Sequence, residues 1–439
     1  MRLLIVSWYF PPVNTIGALR VGKLARFLIE RGHDIGVVAG SHWGHPETLP
    51  LGAPLSRVTF AHVVDVNAVP KWLSERLKRR AKSGTGAMVE TPILEAEPHS
   101  NNQSILQRLA SLYTNLTNLP DNRIGWLPWA RTAGLHLCKD WRPNLVFASG
   151  PPFTAFLAAR SISKRLGVPW IAELRDRWAD DPYGIGEYPA WRLRLDQWLE
   201  RRVLDTAKGL VTVTEPWAEF YRRKYGKPLA TIYNGYDPAD FPASTERATR
   251  IPGAPLIIGY TGGIYPGKRD PTPLFQALRL LGTASDSFRV VFCGTDPAHV
   301  FPLAERTGVR HLVEVRPPVP YQQSLAFQRE ADILLLMQWN DPREQGSCPG
   351  KLFEYVASLR PIIVLGLEDG VPATIVRERS AGFCSNDPRL LAKQLKRWLE
   401  ERKEFGEIRA LPLSAREGLS RTIQFEHLEK FLEEMARAT

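Results

Sequence analysis

Several stretches of the sequence hold residue types that could handle an anion or a polyol. In "QGSCPGKLFEYVASLRPIIVLG" a loop with glycines and a proline leads into a helical pattern and then an apolar strand. Pro349 suits a first helical turn, where its missing N–H is no loss. The free N–H groups of such a helix start, with its positive dipole end, favour a phosphate or the anion formed as a nucleotide leaves. Lys351 adds a formal charge there. Glu354 lies little more than one turn further on, so it can face the same ligand and accept two hydrogen bonds from a vicinal diol such as a ribose. On spacing alone, an ordinary surface helix is the competing reading.

A second stretch, "YTGGIYPGKRD", sets Gly262, Gly267 and Lys268 in the first part of a phosphate-loop pattern, but Arg269 stands where a magnesium-binding Ser or Thr belongs. Pro266 also removes one backbone donor from any phosphate nest. An NTPase is rejected on these grounds. What survives is a loop carrying Lys268 and Arg269 to offset the charge of a diphosphate, or a solvated basic turn. In "SWYFPPVNTIGALR", Gly17 at a helix start would let backbone approach a ligand closely. In "AELRDRWADDPYG", Arg175, Asp176 and Trp178 could bind a polyol, or form an Arg-Asp pair under a buried Trp. His42 and His45 stand in H-x-x-H without clustered carboxylates, and D-x-D is absent, so no metal site is expected.

These residues need a scaffold, and the composition allows one. A chain of 439 residues implies two domains. With 44% hydrophobic and 23% charged residues it should fold around sizeable cores. No apolar run reaches the length of a bilayer span. The opening "MRLLIVSWYFPP" reads as a first strand rather than a signal peptide, because its apolar run is short and meets Pro11 and Pro12. Four scattered cysteines suggest neither a zinc ribbon nor a disulfide scaffold, and a reducing cytoplasm is the expected compartment. The net charge of +11 favours anionic partners.

Short β-branched runs alternate with helical periodicity, the mark of parallel βαβ units. Strands are expected near 3–7, 35–39, 145–148, 170–173, 209–213 and 229–233, and again near 256–260, 289–293, 312–315, 333–337 and 362–365. Residues 1–236 make a first Rossmann-like domain, 237–255 a Pro- and Gly-rich linker, 256–412 a second such domain, and 413–439 a C-terminal helix set to pack back on the first. The pattern breaks over about 70–120, an insertion. Within it Lys71 to Lys82 carries six basic residues against one acidic, interleaved with Trp72, Leu73 and Leu77, so it could rest on an anionic membrane surface. Ile105, Leu109, Leu112, Leu116 and Leu119 recur at helical spacing, and their face is expected to be core.

Taken together, "YFPP…GALRVGKLARFLIERGHDIGVVAG", "ASGPPF", "ELRDRW", "YNGYDPADF" and above all "PGKLFEYVASLRPII" resemble the retaining, GT-B fold glycosyltransferases of family four. The resemblance covers nearly the whole chain. It implies an α/β architecture of two doubly wound Rossmann-like domains facing a cleft, with a nucleotide-sugar as substrate and no cofactor. Glu354 matches the glutamate that binds the donor ribose, Lys268 the lysine at the donor phosphates, and Gly17 the N-terminal glycine loop near the transferred group. The family's paired glutamates would place the earlier one at Gly346, which supplies no carboxylate; Glu344 is close but out of register, and backbone N–H groups near Ser347 are the alternative. Gly263 stands where many members have arginine, with Arg269 to compensate.

The expected activity is transfer of a sugar from a UDP- or GDP-linked donor to an acceptor hydroxyl with retention and without a metal, in cell-surface polysaccharide or glycolipid synthesis. Lys268, Arg269, Arg175 and Asp176 are the expected catalytic groups. Glu354, Lys351, Gly350, Ser347, Gly263 and Gly17 belong to the donor side, and Asn14, Arg20, Gly150 and Trp178 to the acceptor side. The acceptor is a glycan or lipid-linked sugar, and the location cytoplasmic, peripheral at the inner face of the plasma membrane. A GT-B fold sugar-nucleotide epimerase is one alternative. A basic nucleic-acid-binding protein ranks last, since no recognisable module for it is present.

Overall fold

The computed structural model describes residues 1–41, 46–49, 56–66, 105–181, 188–241 and 253–437. The chain divides into two compact units, one of Met1–Val211, Arg222–Ala230 and Phe431–Thr439, the other of Thr212–Tyr221 and Thr231–Lys430. The first sheet has seven strands in the order β3-β2-β1-β4-β5-β6-β7. In chain order its elements are β1 (Arg2–Ser7), α1 (Ile16–Glu30), β2 (Asp34–Gly40), β3 (Val58–Ala61), α2 (Ile105–Thr117), α3 (Leu127–Leu137), β4 (Leu145–Gly150), α4 (Thr154–Leu166), β5 (Trp170–Leu174), α5 (Ala190–Leu204), β6 (Gly209–Thr212), α6 (Glu215–Tyr225) and β7 (Leu229–Thr231). β1 pairs in parallel with both β2 and β4, so the topological switch point lies between β1 and β4.

The second sheet has six strands in the order β10-β9-β8-β11-β12-β13, all parallel. The elements in this part of the chain are β8 (Leu256–Thr261), α7 (Thr272–Leu280), β9 (Phe288–Cys293), α8 (Phe301–Thr307), β10 (Val313–Arg316), α9 (Tyr321–Glu330), β11 (Ile333–Met337), α10 (Lys351–Ala357), β12 (Ile362–Leu365), α11 (Val371–Glu378), β13 (Gly382–Cys384), α12 (Pro388–Phe405) and α13 (Arg421–Arg437), whose residues from Phe431 on belong to the first unit. Its switch point lies between β8 and β11. In both sheets the loops leaving the switch-point strands are where a doubly wound fold binds ligands.

Local chemistry explains these elements. Leu3, Leu4, Ile5 and Val6 are fully buried along β1, each worth roughly 1.5–3 kcal/mol relative to exposure. Along β11, Ile333, Leu335 and Met337 enter one core while Leu334 and Leu336 enter another, and β12 splits Ile363 and Leu365 from Ile362 and Val364 in the same way. A strand period of two thus feeds a core on each face of the sheet. Thr15 caps α1 by accepting from the Ala18 N–H at 3.2 Å. α4 takes its cap from a distance: Asp121 accepts from the Thr154 N–H at 2.9 Å and its hydroxyl at 2.8 Å. Gly167, in the left-handed region at φ 65°, ends that helix.

The structure departs from the sequence-based expectations at several places. β3 and β13 are short edge strands of four and three residues that the apolar pattern does not mark. The helix expected after the insertion is present as α2, but Leu109, Leu112 and Leu116 are exposed rather than core. Pro349 precedes α10 instead of entering it: it opens a tight turn in which Leu352 N–H donates to the Pro349 carbonyl at 3.1 Å. α10 itself has seven residues, too short to act as an extended dipole. His42, His45, Lys71 to Lys82 and linker residues 242–252 lie outside the described residues. Among the described residues no helix is long and apolar enough to cross a membrane.

Candidate functional site

In the second unit, the loop after β8 turns sharply because Gly262 adopts φ 105°, a conformation that favours glycine. The Gly262 N–H donates to the Cys293 carbonyl at 2.8 Å, and Thr295 Oγ1 donates to the Gly262 carbonyl at 2.6 Å. The buried Tyr260 hydroxyl donates to the Gly263 carbonyl at 2.8 Å, and Arg269 Nη1 donates to the same oxygen at 3.0 Å. Arg269 also lies 4.4 Å from the Tyr265 ring centre. The Lys268 ammonium stands 5.1 Å from the ring centre of Trp339, in the loop after β11. The two switch-point loops therefore meet through a cation on an aromatic face.

Lys351, at the start of α10, reaches into the same place. Its Nζ donates to the Thr261 carbonyl and lies 4.2 Å from the Tyr260 ring centre. A Cβ on Gly262 would come within 2.9 Å of that amine, so the bare glycine makes room for it. Burial, with Arg269 nearby, pulls the Lys351 amine down to about 7, and Glu354 opposes the shift. Glu354 does not pair with Lys351. Its Oε2 accepts from Gln328 Nε2 at 3.1 Å, and burial pushes its carboxyl up while that hydrogen bond holds it back. Lys268, Arg269, Lys351, Gly263 and Glu354 are thus brought to the β8–β11 switch point, with positive charge in excess.

The loop before α10 answers what stands at Gly346. A Cβ there would lie 2.1 Å from Trp217, so a side chain at this position would have to displace the indole ring. Thr214 Oγ1 donates to the Gly346 carbonyl at 2.6 Å and fixes the turn. The Ser347 N–H donates to the Glu344 carbonyl at 2.8 Å, and the Ser347 carbonyl accepts from Gln338 Nε2 at 2.9 Å. The backbone N–H expected to hold a donor sugar at Ser347 is therefore already used within the turn. Glu344 is 2% exposed, and its Oε1 has no hydrogen-bond partner among the described residues. A buried oxygen of this kind is costly unless a donor reaches it.

In the first unit, Gly17 and Arg175 come together at the β1–β4 switch point. A Cβ on Gly17 would lie 2.3 Å from Arg175 Nη1. The Arg175 N–H donates to the Gly150 carbonyl at 2.9 Å, and its Nη2 donates to the Pro151 carbonyl. Burial lowers the Arg175 guanidinium from its ordinary value, with Glu173 opposing. Asp176 is exposed, and its charge, like that of Glu173, works against the lowering at Arg175. Arg20, expected on the acceptor side, is 2% exposed and donates to Glu173 Oε1 through Nε at 3.0 Å and Nη2 at 2.8 Å. Ser149 Oγ donates to Glu173 Oε2 at 2.5 Å. Asn14 is exposed and donates to Thr48 Oγ1 at 2.8 Å.

Trp178 stacks on Phe153, ring centres 5.0 Å apart and planes 3° from parallel. Both line a cavity of about 160 Å³, with Asp121, Arg177, Tyr188 and Arg192 around it. Burial pushes the Asp121 carboxyl up against its hydrogen bonds to Thr154 and Arg123. Gly150 ends β4, where a Cβ would lie 2.9 Å from Phe156. Sequence reasoning missed Asp121, Gln328, Tyr260 and Trp339. Tyr260 lies near the C-terminal end of β8 and Trp339 two residues past β11, places that the apolar runs mark; Asp121 and Gln328 carry no such signal.

Residues 17–235 match the family profile of the glycosyl transferase 4-like domain. No curated protein matches the sequence. Among solved structures, sucrose-phosphate synthase from Thermosynechococcus elongatus superposes with a TM-score of 0.64 at 13% identity, covering 100% of both chains. HepE from Anabaena, in complex with UDP and glucose, gives 0.60 at 12% identity over 99% of this chain and 100% of its own. The lipopolysaccharide outer core galactosyltransferase WaaB, apo form, gives 0.54 at 11% identity over 99% of each. The architecture is that of the GT-B glycosyltransferases.

Proposed function

We propose that the protein transfers a sugar from a UDP- or GDP-linked donor to an acceptor hydroxyl with retention of the anomeric configuration. The observation that carries this reading is the gathering of Lys268, Arg269 and Lys351 at the β8–β11 switch point. In the transfer, the bond from the anomeric carbon to the donor's phosphate oxygen breaks as the bond to the acceptor oxygen forms, and the acceptor's hydroxyl proton passes to the departing phosphate oxygen. The diphosphate leaves with growing negative charge, which fixed cations stabilise by several kcal/mol in a site of this kind. These groups stand in for a divalent metal, and no cofactor is required. Glu354 accepts from the ribose hydroxyls. Glu344, with its unpaired oxygen, accepts from a hydroxyl of the transferred sugar.

Arg175 and the cavity beside Trp178 serve the acceptor, a glycan or a lipid-linked sugar of cell-surface assembly on the cytoplasmic face of the membrane. The likeness in fold to a protein bound to UDP and glucose, and to a lipopolysaccharide galactosyltransferase, supports this choice. Calorimetric titration with UDP, GDP and their sugars tests it, repeated in EDTA and with Glu354→Ala. One nucleotide should bind in EDTA and lose affinity in the variant. Binding that requires a divalent cation would remove the metal-independent reading, and no binding at all would remove the transferase.

A further inference from the structure

The helix α5 turns both of its carboxylates inward. Asp196 is 6% exposed and pairs with Arg192 at 3.0 Å. Glu200 is fully buried, accepting from Lys224 Nζ at 2.7 Å, the Tyr225 hydroxyl at 2.6 Å and the Ala179 N–H at 2.8 Å. What α5 shows to solvent is therefore free of acid: Trp191 and Trp198, 41% and 56% exposed, with Arg194, Arg201 and Arg202. Trp191, Trp198 and Arg202 share one side by helical spacing. The Arg202 guanidinium lies 5.6 Å from the Trp198 ring centre, and among the described residues Arg194 and Arg201 have no carboxylate partner.

The neighbouring α2 extends this surface. Leu109, Leu112, Tyr113 and Leu116, at spacings that place them on one side, are 57%, 47%, 38% and 52% exposed, and α2 contains no carboxylate. Buried Arg192 ties the two helices together, donating to the Asn115 carbonyl at 2.7 Å and the Asn118 carbonyl at 2.8 Å.

We propose that the α2–α5 surface docks on an anionic lipid bilayer. Indole rings beside guanidinium groups match the headgroup level, where an apolar body and a polar tip are both satisfied. Exposed leucines need hydrocarbon, which a soluble polyanion does not offer. The surface holds basic charge without exposed acid on α5, complementary to anionic headgroups. This deepens the reading of a lipid-linked acceptor and rests on it for its purpose.

The test is co-sedimentation of the full chain with vesicles of phosphatidylcholine containing phosphatidylglycerol, and with pure phosphatidylcholine, at low salt. Retention on the anionic vesicles should be lost or weakened at least about tenfold in Trp191→Ser/Trp198→Ser and in Arg194→Gln/Arg201→Gln/Arg202→Gln. UDP affinity in both variants should be unchanged. Absence of retention, equal retention on both vesicle types, or undiminished retention in the variants would overturn the proposal. A conservative pair, Trp191→Phe/Trp198→Phe, guards against misfolding: brominated lipid should quench less fluorescence in it than in the wild type, and equal quenching also overturns the proposal. Vesicle binding that persists without nucleotide binding would count against the transferase reading alone.

Discussion

Trp217 lies against Gly346 so closely that the smallest side chain at that position would meet the indole ring at 2.1 Å. Trp217 is itself 7% exposed, so it has little space to retreat. Gly346→Ala should destabilise the second unit by about 1–3 kcal/mol, the usual range for overpacking. A thermal melt would show it, and an unchanged midpoint would mean that the ring moves freely. A larger side chain there, as in Gly346→Glu, should fare worse and gain no activity.

If Lys351 faces the nucleotide as proposed, binding should have a pH dependence of definite sign. With its amine at about 7 in the free protein, a diphosphate alongside raises that value, so binding takes up a proton. Affinity should be greatest below about pH 7 and fall as pH rises through that value toward the higher one of the complex. Stability runs the other way. The unfolded chain holds the Lys351 proton up to its ordinary 10.5, so between about 7 and 10.5 the unfolded state binds more protons and stability rises with pH. Calorimetry in buffers of different ionisation enthalpy reads the proton uptake directly, and Lys351→Met should abolish it.

Removing a cation from the loop after β8 should weaken the proposed donor site. Lys268→Ala should lower nucleotide affinity or turnover by roughly 10- to 100-fold, the scale of a lost charge-assisted hydrogen bond. Unchanged activity would take Lys268 out of the site. Arg269→Ala has a second effect, because Arg269 helps to lower the Lys351 amine. The midpoint of the pH profile should therefore shift upward in this variant, which a purely structural role would not produce.

The Arg20–Glu173 pair should matter to stability before it matters to substrate. Both side chains are buried, at 2% and 0% exposure, so Arg20→Ala leaves a carboxylate stranded and should cost about 3–5 kcal/mol. Denaturant unfolding would measure it. A normal unfolding midpoint with a raised KM for acceptor would return Arg20 to the acceptor side.

The parallel sheets were legible because buried strands such as β1, β11 and β12 are unbroken apolar runs between turn signals. β3 and β13 were not, since an edge strand of three or four residues buries too little to leave a pattern. The gathering of Lys268, Arg269 and Lys351 followed from motif positions after strands. The pairing of Glu354 with Gln328 did not, because contacts made across helices leave no spacing to read. α2 shows the limit most plainly: periodicity reports that a helix has an apolar side, not what covers it.

On the proposed reading, the hold of Thr261 on Lys351 means that a cation of the donor site is engaged by the protein itself before any nucleotide arrives. A phosphate must draw the amine away from a backbone carbonyl and from the face of Tyr260, so part of its attraction is spent undoing an internal contact. The release leaves the Thr261 carbonyl seeking another donor beside the glycine turn. Arrival of a nucleotide is therefore felt by the backbone of the loop after β8 as well as by the side chains, and amide exchange at Gly262 and Gly263 would register it.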